Sequence, residues 1–127
     1  MACSHAAAAG TNLIRLNEPT FQTDPRVNLY RVIDSTELAH LRSTGSYGSN
    51  PNGSGKYWAL TLAGAKNFAS HPVNSGCVIT RTSLPRSVLN HGYFLTDPGR
   101  HAAGTSVFFS ETHLPMVYGA MTPPVVI

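Results

Sequence analysis

Charge is scarce in this chain: only 12% of its 127 residues are Asp, Glu, Lys or Arg, about half the usual share of roughly a quarter. The nine basic residues are scattered, with no Lys/Arg run of the kind that grips nucleic acid. The net charge of +3 and the pI near 9.1 suit an acidic partner or a polyanionic ligand, though they come from few groups. Two cysteines, Cys3 and Cys77, make no disulfide framework. Cys77 falls in an apolar pattern and is expected to be a small buried core residue. The six histidines lack HxxxH, HxH or Cys/His ligand spacing, so no metal is expected. No apolar run approaches a membrane span. Met1–Gly10 is alanine-rich without a basic start, which does not fit a secretory signal. Residues 1–27 therefore read as a leader and an extended arm preceding a domain at 28–127.

A hydrophobic content of 42% over this length fits one small globular domain, and Gly 11 with Pro 9 fits short elements joined by frequent turns. Asn28-Leu29-Tyr30-Arg31-Val32-Ile33 has the β-branched and aromatic content of a strand. Asp34-Ser35-Thr36-Glu37 then has capping-box spacing, with Asp34 accepting from the backbone at Glu37 and Glu37 reaching back. The helix it opens should close at Gly45. Residues 43–55, STGSYGSNPNGSG, form a glycine-rich loop long enough to suggest function.

Gly55-Lys56-Tyr57-Trp58-Ala59-Leu60 reads as a short strand behind that loop, running at Thr61 directly into a helix over Leu62, Ala65, Phe68 and Ala69. Such a junction presents backbone N–H groups and the Thr61 hydroxyl at a helix N-terminus, an end suited to an anion such as pyrophosphate. Further strands are expected at 77–84, Tyr93–Leu95 and Val107–Glu111, with a helical turn near 85–89 and an edge strand at the C-terminus. The sum is an α+β domain with two main helices and five or six mostly antiparallel strands.

Arg31 projects from an apolar strand to the face opposite Tyr30 and Val32, which is costly without an anionic partner. Asp34, Asp97 or a ligand phosphate would serve. Of three glutamates, Glu18 sits in the arm and Glu37 is assigned to capping. That leaves Glu111 at a strand end, as a catalytic carboxylate or a surface one. His113 near Glu111 suits acid–base chemistry. No phosphate-loop, dinucleotide-glycine or GxSxG signature is present.

The order and content of Leu29–Ile33, Thr36-Glu37-Leu38, Ser43-Thr44-Gly45, Gly55-Lys56-Tyr57-Trp58, Ala65–Ala69 and Leu84–Leu89 resemble the ADP-ribosyltransferase toxin domains at the C-termini of bacterial Rhs polymorphic proteins. The resemblance is to the TreTu-like group, which modifies elongation factor Tu, and it covers about residues 28–127. It implies a small ADP-ribosyltransferase-like fold with a split sheet and NAD+ as co-substrate. Arg31 would hold the NAD+ phosphate or nicotinamide ribose, and Thr61 would stand at the Ser/Thr motif. Tyr57 or Trp58 would pack near the nicotinamide, and Glu111 would bond the ribose 2′-hydroxyl. A strict alignment of the apolar strand sets Ser106, not Glu111, at the carboxylate position of many relatives. The full Ser-Thr-Ser triplet and the Glu-x-Glu pair are absent.

The implied setting is an antibacterial toxin, delivered by a contact-dependent system as the tail of a larger protein. It would act on a protein in the target-cell cytoplasm and be held by a cognate immunity protein. An RNA-directed toxin, with His113 or His101 working beside Lys56 or an RNA-modifying transferase, is the alternative. A non-catalytic module in which Arg31 pairs with Glu111 is the third reading.

Overall fold

The computed structural model describes residues 24–127. The leader and most of the extended arm lie outside the described residues. In chain order come β1 (Arg26–Ile33), α1 (Ser35–Thr44), β2 (Lys56–Ala59), α2 (Leu62–Ala69), β3 (Val78–Pro85), α3 (Arg86–Leu89), β4 (Tyr93–Asp97), β5 (Gly104–Phe109), α4 (Leu114–Ala120) and β6 (Val125–Val126). The fold is α+β, and every strand pairing among the described residues is antiparallel. None of the helices is long and apolar enough to cross a membrane, among the described residues.

Local chemistry accounts for the helix ends. Asp34 accepts from the Glu37 N–H at 2.8 Å and opens α1. Gly45 closes it at φ 79°, its N–H returning to the Leu41 carbonyl. Thr61 accepts from Gly64 N–H at 3.0 Å and opens α2. Helix α4 is a third substantial helix where two were expected. Pro115 reads as a breaker in the sequence, but at the first turn of a helix its missing N–H costs nothing. β5 stops at Phe109, so Glu111 lies beyond the strand, in a 3₁₀ turn over Glu111–His113.

The sheet runs β4-β5-β2-β1-β3-β6. β1 pairs with β3 along its whole length. By contrast, β1 meets β2 at one register pair, Tyr30 opposite Ala59. The sheet is therefore two halves joined at a narrow seam, with no further register pair between Arg31–Ile33 of β1 and Lys56–Trp58 of β2.

Alternation along the strands loads the two faces differently. One face buries Leu29, Ile33, Trp58, Val107 and Phe109 against Leu41, Leu89, Leu114 and Val117 from α1, α3 and α4. The other carries a smaller cluster of Val32, Ala59, Ala65 and Ala103 beneath α2. Cys77 is half-buried at the margin of that second cluster and is disulfide-bonded, where a small buried core residue was expected.

α2 packs close to the β4–β5 connection at Gly64, where a Cβ would stand 2.0 Å from the Ala103 carbonyl oxygen. Helix propensity alone assigns Gly64→Ala a gain of about 0.8–1 kcal/mol. The backbone contact reverses the sign: Gly64→Ala should lose about 1–3 kcal/mol, read as a lower denaturant midpoint at unchanged slope.

Candidate functional site

The seam between β1 and β2 is filled by Arg31, which is wholly buried. Its side chain shares the face of Leu29 and Ile33, and the guanidinium carbon lies 5.6 Å from the Trp58 ring centroid. Arg31 Nε donates to Glu37 Oε2 at 2.7 Å and Nη2 to Glu37 Oε1 at 3.0 Å, a two-pronged ion pair. Nη1 donates to the Tyr57 carbonyl at 2.9 Å, so the side chain spans the seam where the ladder has stopped. The partner is thus Glu37, not Asp34, Asp97 or Glu111. Glu37 does not reach back to complete a capping box. One turn into α1, its carboxylate is aimed at the guanidinium on the adjoining strand.

A second cation meets the same carboxylate. Lys56 is 2% exposed, and its Nζ stands 3.4 Å from Glu37 Oε2 and 3.3 Å from Asn50 Oδ1. Burial, with the Arg31 charge beside it, pulls the Lys56 ammonium below the usual lysine range, while Glu37 and Glu111 pull it back up. The loop 45–55 closes over this group. Asn50 holds the loop together by donating from Nδ2 to Ser54 Oγ and to the Gly55 carbonyl. Its backbone N–H donates to Glu111 Oε1 at 3.3 Å. The Tyr118 hydroxyl, raised above its ordinary range by burial, donates to the Gly48 carbonyl from α4. Tyr47 is buried edge-on to Trp58 with ring centroids 5.5 Å apart, its hydroxyl 2.7 Å from Thr80 Oγ1, and burial pushes it up to about 12.

Two pockets flank the loop. One of about 330 Å³ is lined by Asp34, Glu37, His40, Asn50 and Lys56 among others. The second, about 220 Å³, is lined by Glu111, Leu114, Pro115 and Tyr118, and shares Gly48 and Ser49 as walls with the first. The larger lies within the roughly 300–1,000 Å³ common for small-molecule sites. Glu111 is half-buried in the wall of the smaller one, and among the described residues only its Oε1 has a hydrogen-bonded partner.

Arg31, Trp58 and Glu111 therefore converge on one region, by way of Glu37, Lys56 and Asn50. Tyr57 does not join them: it lies on the opposite face, its ring 4.6 Å from Phe108. Thr61 caps α2, which covers that same opposite face, so its hydroxyl is spent on Gly64 away from the seam. Trp58 is wholly buried and acts as the floor under Arg31. Ser106 is 1% exposed inside β5, between Ala59 and Leu95, and lines neither pocket.

His101 stacks edge-on against His71 and its Nδ1 lies 2.9 Å from Ser70 Oγ, at the end of α2. His113 sits 3.3 Å from Ser110 Oγ and faces His91. Neither histidine touches Lys56. No group of three His, Cys, Asp or Glu residues is placed to hold a metal, among the described residues.

Asn50 was missed in the sequence, Glu37 was assigned to capping alone, and Lys56 entered only through the RNA-directed alternative. Lys56 was recoverable, because it shares the alternation of Trp58 in a strand whose neighbours are apolar. Asn50 carried no signal inside a polar loop. Comparison with family models, with curated proteins and with solved structures gives no match to this chain.

Removing Arg31 leaves the largely buried Glu37 carboxylate with only its longer Lys56 contact and takes the donor from a strand carbonyl. Arg31→Ala should cost about 3–5 kcal/mol, and Arg31→Met with Glu37→Gln should lose clearly less, measured by chemical denaturation of the singles and the double. Lys56 binds its proton less tightly folded than unfolded. Between its lowered pKa and the ordinary 10.5 the unfolded chain carries more protons, so stability gains with rising pH. Lys56→Met should lose this rise, visible in the difference between the two proteins' unfolding free energies across the alkaline range. Tyr47 works in the opposite direction between its ordinary 10.0 and about 12, equally in both proteins, and cancels in that difference.

Proposed function

We propose that the protein is an NAD-dependent mono-ADP-ribosyltransferase, an antibacterial toxin acting on a target-cell protein, with elongation factor Tu the candidate. The resemblance in the sequence motivates the reading, and the observation that carries it is Glu111. This carboxylate is steadied on one oxygen by the Asn50 N–H and has the other unengaged among the described residues, in the wall of a pocket beside the Arg31–Glu37–Lys56 cluster.

In the reaction the bond between ribose C1′ and the nicotinamide nitrogen breaks. The bonding pair leaves with the nicotinamide, and positive charge develops on the ribose. The acceptor side chain then bonds to C1′ and releases its proton. A fixed carboxylate near that developing charge stabilises the transition state more than the ground state. Glu37 cannot serve in this way, because two cations already hold it. Arg31 acts as a positioning residue that fixes Glu37 and the seam.

Tyr57 and Thr61 drop out of the proposed NAD+ site, and Trp58 supports it from beneath. A cognate immunity protein that covers the loop 45–55 would block both pockets at once. Delivery as the tail of a larger secreted protein belongs to the same reading.

Incubation with labelled NAD+ and a bacterial lysate should put label on one protein band. Glu111→Gln should lower that transfer by about a hundred- to a thousandfold with the melting temperature nearly unchanged. Full activity in Glu111→Gln would remove the carboxylate from the mechanism. Label on RNA, or shortened RNA, would favour the RNA-directed alternative.

A further inference from the structure

Two contacts at opposite ends of β3 bear on the chain that precedes β1. Asp24, the first described residue, accepts from Ser87 twice, from its N–H at 3.1 Å and from its hydroxyl at 2.6 Å. Beside it the Pro25 carbonyl accepts from the Arg86 N–H at 2.9 Å. These bonds fix the entry of the chain at the C-terminal end of β3. Cys77 stands immediately before the N-terminal end of β3 and is disulfide-bonded. The sequence holds one other cysteine, Cys3, which is therefore its partner within a single chain. β3 has eight residues, about 26 Å at roughly 3.3 Å each. The chain from Cys3 to Asp24 reaches about 70 Å when extended, so it crosses that distance with slack.

Strand alternation says what lies along the way. Arg81 stands opposite Tyr30 on one side and Val125 on the other, and the Ile127 N–H donates to the Ile79 carbonyl. Tyr30 and Ile79 pack against the cluster beneath α2, so Val125 and Ile127 continue that same face to the sheet edge. Cover fails along it. Val32 is wholly buried, Tyr30 is half-buried, and Val125 and Ile127 are 44% and 48% exposed. Among the described residues nothing covers the β6 side of this face. The segment before Asp24 carries the apolar side chains Leu13, Ile14, Leu16 and Phe21. Its one carboxylate, Glu18, is opposite in sign to Arg81, which is exposed on the open face.

We propose that residues 4–23 form a strap across the open side of this face, with Leu13, Ile14 and Leu16 packed against Tyr30, Val125 and Ile127. The disulfide anchors one end and the Asp24–Ser87 bonds anchor the other. Packing of this kind takes apolar surface out of water, and two anchors reduce the entropy lost in ordering the segment. The strap lies on the α2 side of the sheet, whereas loop 45–55 and its two pockets lie on the side of Arg31 and Trp58. The inference is thus independent of the NAD+ reading.

Peptide mapping of the unreduced full chain should recover a Cys3–Cys77 pair from monomeric protein. A Cys77–Cys77 pair joining two copies overturns the strap and gives the face to a second copy. Carbene footprinting then reads the face one side chain at a time. With the disulfide intact, Leu13→Asn, Ile14→Asn and Leu16→Asn together should raise the labelling of Tyr30, Val125 and Ile127 severalfold. Tyr93, 42% exposed on β4 at the opposite edge of the sheet, should label equally in every sample.

Equal labelling of the three residues in wild type and triple variant overturns the proposal. Cys3→Ser, or reduction of the wild type by a dithiol, removes one anchor and should raise the same labelling to a smaller extent. Labelling unchanged by either treatment overturns it too, because the disulfide would then hold nothing on this face.

Discussion

The buried ion pair of Arg31 with Glu37 is the constraint on which the rest of the domain turns. A guanidinium inside an apolar sheet is tolerated only when its donors are met. Here they are met by a carboxylate from α1 and a carbonyl from β2. Those three bonds fix the first turn of α1 against the end of β1, and tie β2 to β1 where the ladder has given out. The narrow seam and the buried arginine are thus one feature: the side chain occupies the space that continued strand pairing would close.

Around that pair the loop 45–55 is organised by Asn50, which reaches Lys56, Glu111 and the loop's own second half. Such a hub needs no regular secondary structure, because each contact comes from a different atom of one residue. It also sets the two pockets on either side of the same loop, with the carboxylate of Glu111 facing one and the ammonium of Lys56 facing the other.

Most elements were legible in the sequence because their signals are local. Asp34 and Thr61 stand where caps must stand, Gly45 takes the left-handed conformation that ends α1, and the alternation at Val78, Thr80 and Thr82 gives β3 its faces. Helix α4 was hidden because Pro115 and Gly119 argue against a helix one residue at a time, whereas its burial of Leu114 and Val117 is a tertiary gain. Glu37 was misassigned for a related reason. The capping-box spacing is real, but a charged partner across the strand outcompetes a backbone N–H for the carboxylate. Thr61 and Tyr57 were set beside Arg31 by the resemblance, whereas strand alternation puts Tyr57 on the other face and Thr61 caps the helix that covers it.

By itself the sequence determined the strands, the caps, the α+β class and the presence of one arginine that had to find an anion. Tertiary structure alone decided which anion it found, and that a lysine would be buried beside it. The reason is one of range. Capping, alternation and propensity act over a few residues, whereas Arg31, Glu37, Asn50, Lys56 and Glu111 come from separate segments and meet only once the sheet has folded and left its seam open.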